Sequence, residues 1–198
     1  MKDHAKEPQG RRGEARRPLS SQTIVAAGLA IASREGVDCV TMRRIAADLE
    51  TSASALYVYV RSRDDLLQRM LDTVMAQVDL DLGPGIWRER LLRLLARSIA
   101  AARGHGGLME IGLRAIPEGP HIEVITGRVL SLLREGGLSE RTIVAALDLL
   151  ALFVTAAALD RGPRPPAGPE EEALRLRNLE WQLDVLLTGL ATSPEPQD

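Results

Sequence analysis

Four hydroxyl residues, each placed where a helix must begin, constrain this chain most. Ser20 or Ser21, Thr41, Ser52 and Ser62 each precede a stretch with apolar residues at helical spacing, and such side chains accept from the orphan N–H groups of a first turn. Ile24, Ala27, Gly28 and Ile31 mark one face of a first helix that stops at Gly36. Ile45, Ala46 and Leu49 point inward from a second. A third runs from Ser52 to about Val60, and "SRDDLL" (62–67) opens a fourth, with Asp65 where a capping box wants its acid. Leu67, Met70, Leu71, Val74 and Val78 carry that fourth helix to about Leu82, before the break at "GPG" (83–85).

Longer helices follow: Ile86–Arg103, a short one near Leu108–Ala115, Pro120–Glu135, Ser139–Asp160 and Pro169–Ala191. Gly136-Gly137 is a C-terminal stop, and Ser139 caps the next start. "RGPRPPAGP" (161–169) holds four prolines in nine residues and reads as an exposed connector. No strand-period segment appears, so the class is all-α, with about nine helices. The divisions expected are a disordered basic arm (1–18), a small helical domain (19–66) and a larger one (67–198).

Charge divides unevenly. Residues 1–66 hold 11 Lys/Arg against 9 Asp/Glu, a net +2, and the remainder 14 against 18, a net −4. That sign favours an anionic partner at the N-terminal end. Cys39 is the only cysteine, which excludes an internal disulfide and points to a reducing cytoplasm. The first residues carry no apolar stretch of the signal-peptide kind. "IVAALDLLALFVTAAAL" (143–159) is short for a bilayer span and carries Asp148 near its centre, so it reads as a buried bundle helix, with no membrane partner.

The stretch "TMRRIAADLETSASALYVYV" (41–60) has the arithmetic of a helix-turn-helix: two short helices, a tight turn, and a small Ala46 at their crossing. Ile45, Leu49, Leu56 and Val60 form the shared core. Thr41, Arg43, Ser52, Ala53, Ser54, Ala55, Tyr57 and Tyr59 are left facing outward. Small outer residues admit a backbone into a major groove, and hydroxyls meet phosphates there. Two tyrosines flanked by Arg61 and Arg63 suit clamps on a phosphodiester backbone, although amphipathic packing is the blander account of the same residues.

The whole run "TIVAAGLAIASREGVDCVTMRRIAADLETSASALYVYVRSRDDLL" (23–67) resembles the N-terminal domain of the tetracycline-repressor (TetR) family of transcriptional regulators. The rest resembles that family in helix number and lengths, and in "WRERL" and "LLREGGL". The resemblance implies homodimers whose third helices enter adjacent major grooves of a palindromic operator. It also implies a C-terminal domain that binds small molecules and forms the dimer. By position, Thr41, Arg43, Ser52, Ala53, Ser54, Tyr57 and Tyr59 would face DNA, with Arg63 near a phosphate. Two departures stand out: Glu50 replaces the family's usual turn glycine, and Ala32 its usual first-helix aromatic. Glu50 is expected on the DNA-distal side of the turn. Arg11, Arg12, Arg16 and Arg17 would serve either as a minor-groove arm or as a solvated tail.

Leu176, Leu179, Leu183, Leu186 and Leu190 repeat at 3-4 spacing, as do Ile143, Leu147, Leu150, Val154 and Ala157. Both stripes are expected to form a four-helix dimer interface, the competing explanation being packing within one chain. An effector pocket is expected among helices 86–160, with His105, Met109, Leu113, His121, Arg128, Asp148, Phe153 and Trp181 as candidates and a mostly apolar ligand. The three histidines (His4, His105, His121) and one cysteine are scattered without metal-ligand spacing, and nucleophile and phosphate-loop motifs are absent. An enzyme is therefore not expected, nor a metal or cofactor. The reading is a ligand-responsive repressor; the alternative is an all-helical protein-interaction adaptor.

Overall fold

The structure, a computed structural model, describes residues 18–111, 117–159 and 168–192. Among these there is no strand. The Ser20 hydroxyl accepts from Thr23 N at 3.1 Å and starts α1 (Ser21–Glu35), which ends at Gly36 with φ +90°. A 3-10 turn (Val37–Cys39) leads to α2 (Met42–Asp48), capped by the Thr41 hydroxyl on Arg44 N. The next helix, α3 (Ala53–Leu56), is capped by Ser52, and α4 (Arg63–Met75) by Ser62. The body follows as α5 (Trp87–Ala102), α6 (Gly106–Met109), α7 (Pro120–Glu135), α8 (Glu140–Ala158, capped by Ser139) and α9 (Pro169–Thr192). The expected arm (residues 1–17 of it), most of the proline connector, Leu113 and the side chain of Leu176 lie outside the described residues.

Two helices are shorter than their apolar periodicity predicts. The third stops at Leu56, and Tyr59 N and Val60 N both bond back to Leu56 O, so residues 57–59 form a turn that still buries Val60. The fourth stops at Met75, not near Leu82. Here the Asp79 and Asp81 carboxyls accept from Asp81 N (3.0 Å) and Gly83 N (3.2 Å), an alternative to helical bonding that short acidic side chains offer. Arg97 holds that extended strap by donating to the Asp79 and Asp81 carbonyls. Val78 and Leu82 remain buried, because the strap runs over the same core that a longer helix would have covered.

One continuous apolar cluster runs through the chain. Ile24, Ile31, Ile45 and Leu56 meet Leu66, Met70 and Leu71 of α4, which meet Leu91, Leu94, Leu132 and Leu133 of α5 and α7. The boundary expected after residue 66 thus falls inside α4, whose Leu66 and Leu67 belong to one cluster. Gly28 lets α1 approach α4 closely: a Cβ there would stand 2.7 Å from Met70 Sδ.

Helix α4 is also tied to α7 by polar bonds. No residue next to α7 caps it; instead the buried Asp72 carboxyl accepts from His121 N (2.9 Å) and Ile122 N (3.0 Å), with His121 Nδ1 2.8 Å from its other oxygen. One turn earlier, Gln68 accepts from Glu118 N at 3.1 Å. Gly119 sits between them at φ +145°, where a side chain would be strained and would fall on the Asp72 carboxyl.

The apolar stripes expected to form the dimer mostly face the chain's own core. Ile143, Leu150 and Leu183 are buried, and Leu147, Val154, Leu186 and Leu190 pack against them; Leu179 is half-buried. Among the expected residues whose side chains are described, Ala157 alone is exposed. This is the packing within one chain that the same spacing equally allowed, because the sequence does not rank two faces of a helix that is apolar nearly all round. The open faces carry Val144, Leu149 and Leu152 on α8, and Leu174, Trp181 and Val185 on α9. Among the described residues, α8 is the one helix long and apolar enough to cross a bilayer by length and composition; 28% of its most apolar stretch is buried within the chain.

Asp72→Ala leaves two helix N–H groups without their acceptor and is expected to destabilise the protein by about 1–3 kcal/mol, with Asp72→Asn less damaging, as urea unfolding midpoints will show. Glu50 adopts φ +50° in the turn between α2 and α3. A non-glycine residue there costs about 1–2 kcal/mol, partly offset by the extra freedom that glycine has when unfolded. Glu50→Gly is therefore expected to raise stability by roughly 0.5 kcal/mol in the same assay.

Candidate nucleic-acid interface

The surface made by the start of α2 and all of α3 follows from local chemistry. Met42, Ile45 and Ala46 are buried on one side of α2, which turns Thr41 and Arg43 outward. Leu49 is half-buried, and Thr51 N bonds back to Ala46 O at 2.9 Å, closing the turn in which Glu50 is exposed. From α3, Leu56 and then Val60 point inward; Ser52 and Ser54 are exposed, while Ala53 and Ala55 are half-buried. Tyr57 is 54% exposed and Tyr59 39%.

The hydroxyls on this surface do two jobs at once. Thr41 Oγ1 and Ser52 Oγ each accept a backbone N–H, and Ser52 lies 2.9 Å from Ser54. A hydroxyl that caps through a lone pair also carries an O–H to donate, which is the polarity a phosphate oxygen requires. Arg43 and Arg61 are exposed beside these groups.

Neighbouring charges hold the surface in shape. Arg44 donates two bonds to Glu35 (2.7 and 3.1 Å) and one to Asp48, which Arg34 also reaches, so the end of α1 is tied to α2. The bonds to Arg44 hold the Glu35 carboxyl below the usual carboxylate range and push the arginine up. Burial alone would raise the Asp65 carboxyl, yet bonds from Arg69 and from Arg61 N outweigh it and the net shift is downward. Arg69 also donates to Ser21 at 3.0 Å, joining α4 to the start of α1.

Of the residues expected to meet DNA, Thr41, Arg43, Ser52, Ser54, Tyr57 and Tyr59 are each exposed, with Ala53 partly covered. Arg63, expected near a phosphate, is engaged within the chain. Its Nε donates to Val40 O at 2.7 Å and its Nη2 to Val37 O at 3.0 Å, so one edge of the guanidinium is held by the 3-10 turn. The reach across more than twenty residues is invisible in sequence.

The expected pocket residues differ widely in exposure. Met109 is core, and His105 is half-buried at the start of α6. Phe153 is half-buried too, while Arg128 and Asp148 are exposed and Trp181 is 68% exposed on the open face of α9. His121 is exposed and engaged with Asp72. Asp148 therefore needs no buried partner: it stands among the outward residues of α8. Sequence reasoning missed Gln68 and Asp72, whose helical spacing shows a shared face but gives no sign of a partner some fifty residues on.

Residues 24–70 match the profile of bacterial regulatory proteins of the tetR family, and residues 80–183 the tetracyclin repressor-like C-terminal domain. The HTH-type transcriptional repressor DrrR1 of Streptomyces coeruleorubidus is 34% identical over 142 residues, which are 71% of this chain and 53% of that protein. A regulator from Saccharopolyspora erythraea is 28% identical over 69% of this chain, and the match spans 58% of it; the chain thus covers little more than half of these two curated relatives. Apo ActR of Streptomyces coelicolor superposes with a TM-score of 0.75 at 30% identity, over 89% of this chain and 97% of ActR. A second ActR structure, in complex with actinorhodin, gives 0.73 at 30% identity, over 87% and 97%. With its capped helix-turn-helix, its core shared through α4 and a second profile spanning more than half of its length, the chain belongs to the TetR family of bacterial transcriptional regulators, which are not enzymes.

Proposed function

We propose that this protein is a ligand-responsive repressor that binds a palindromic operator as a homodimer in the cytoplasm and is released by a small, mostly apolar effector. The observation that carries the DNA half is the capped helix-turn-helix of α2 and α3, on which Thr41, Arg43, Ser52, Ser54, Tyr57 and Tyr59 are all exposed. Its hydroxyls and cations suit phosphate oxygens, and the small residues of α3 allow close approach to base edges. DrrR1 is a repressor, which supports the same direction of control here.

The dimer rests on the open faces of α8 and α9. Val144, Leu149, Leu152, Trp181 and Val185 are large apolar side chains left exposed on these two helices, of a kind that association covers. A second copy related by a twofold axis supplies a matching face and sets two α3 helices one DNA turn apart, about 34–36 Å. The ActR complex with actinorhodin supports a small organic effector for this chain too. Leu91, Leu94, Leu108, Met109 and Leu132 make the body interior apolar, which favours an apolar ligand. Binding there acts only through different affinities for two arrangements of the body. The Gln68 and Asp72 bonds to residues 118–122 oblige α4 to follow α7 between those arrangements.

Sequencing the duplexes that purified protein selects from a random pool is expected to give a palindrome; a pool without enrichment contradicts DNA binding and favours the adaptor. On the selected duplex, Tyr57→Phe and Arg43→Ala are each expected to cost about 1 kcal/mol per half-site, roughly fivefold in affinity. In sedimentation velocity, Leu152→Glu is expected to convert the dimer to a folded monomer.

A further inference from the structure

We infer that Arg63 is a positioning residue for DNA binding, holding the segment that launches α2 while making no phosphate contact of its own. The inference rests on the DNA-binding reading above and concerns how that surface is kept in place. Arg63 is the first residue of α4, and its half-buried guanidinium uses one edge, Nε and Nη2, to hold two carbonyls of the 3-10 turn, Val40 O and Val37 O. Val40 is fully buried and directly precedes Thr41, whose hydroxyl caps α2. The orientation of α2, and with it of Thr41 and Arg43, is therefore set from α4 through this fork.

The same turn is gripped from the other domain. Gly107 of α6 lies against Val37 so closely that a Cβ would stand 2.6 Å from Val37 Cγ1. Val37 is thus fixed by its carbonyl on one side and its side chain on the other. A planar guanidinium meets two carbonyls at once along one edge; a lysine ammonium, a point donor on a flexible stem, keeps the charge but not the fork. This difference separates positioning from phosphate contact, because a phosphate accepts either cation.

The test is a salt titration of binding to the selected duplex by the full chain, comparing wild type, Arg63→Lys and Arg63→Ala, with the folded fraction of each set by circular dichroism at the same temperature. Both variants are expected to lose about tenfold in affinity per folded molecule, with the slope of log affinity against log salt unchanged. A lysine variant that binds like wild type overturns the inference. So does a slope that becomes shallower in the alanine variant by about 0.9 per lost phosphate contact. If Arg63→Ala does not fold, the lysine variant alone decides. Failure of the wild type to select any duplex is a separate outcome that removes the DNA-binding reading itself.

Discussion

Asp72 is 7% exposed, and a carboxyl in such a place is tolerable only while its donors stay with it. Those donors, His121 N and Ile122 N, are the unpaired amides at the start of α7, so each side resolves the other's problem. Burial makes the bond demanding: separating α4 from α7 strands a carboxyl and two N–H groups together. With Gln68 one turn earlier and Arg63 and Arg69 reaching the other way, α4 carries polar ties both to the body and to the helix-turn-helix. Most of what distinguishes this fold from a loose string of helices passes through that one element.

Its shape was partly legible beforehand, and the reasons are local. Caps are short-range chemistry, so Thr41, Ser52, Ser62 and Ser139 stand where their sequence neighbours put them. The end of α4 was not legible from periodicity, because Val78 and Leu82 stay buried whether the backbone is helical or held as a strap by Asp79, Asp81 and Arg97. Likewise Arg63 looks like any surface cation until Val37 and Val40 are brought to it. Long-range polar bonds leave no periodic trace.

The two faces of α8 teach the same lesson about apolar surface. A 3-4 repeat can be drawn along either face, and Ile143, Leu150 and Leu183 turn out to serve the chain's own interior. What remains outside, from Val144 to Val185, is visible only once the inner face is known. Asp148 belongs to that outer set, which explains a carboxylate in an apolar helix without any ligand. In the helix-turn-helix, Thr41, Ser52 and Ser54 are exposed as hydroxyl residues usually are, whereas Ala53 and Ala55, also expected outside, are half-buried. Glu50 adopts its left-handed conformation despite its side chain because the bond from Thr51 N to Ala46 O closes the turn around it.

If the body pairs through the open faces of α8 and α9 as proposed, heads tied to it through α4 take up a limited set of separations, of which the operator selects one. Cys39, the only cysteine, is exposed in the turn before α2 and takes a spin label without further mutation. Double electron–electron resonance on the labelled protein measures the distance between heads. Dipolar modulation from two coupled spins is expected, with the distance distribution narrowing to one peak on addition of the selected operator duplex. A signal that decays without modulation, or a distribution indifferent to operator, would contradict this arrangement.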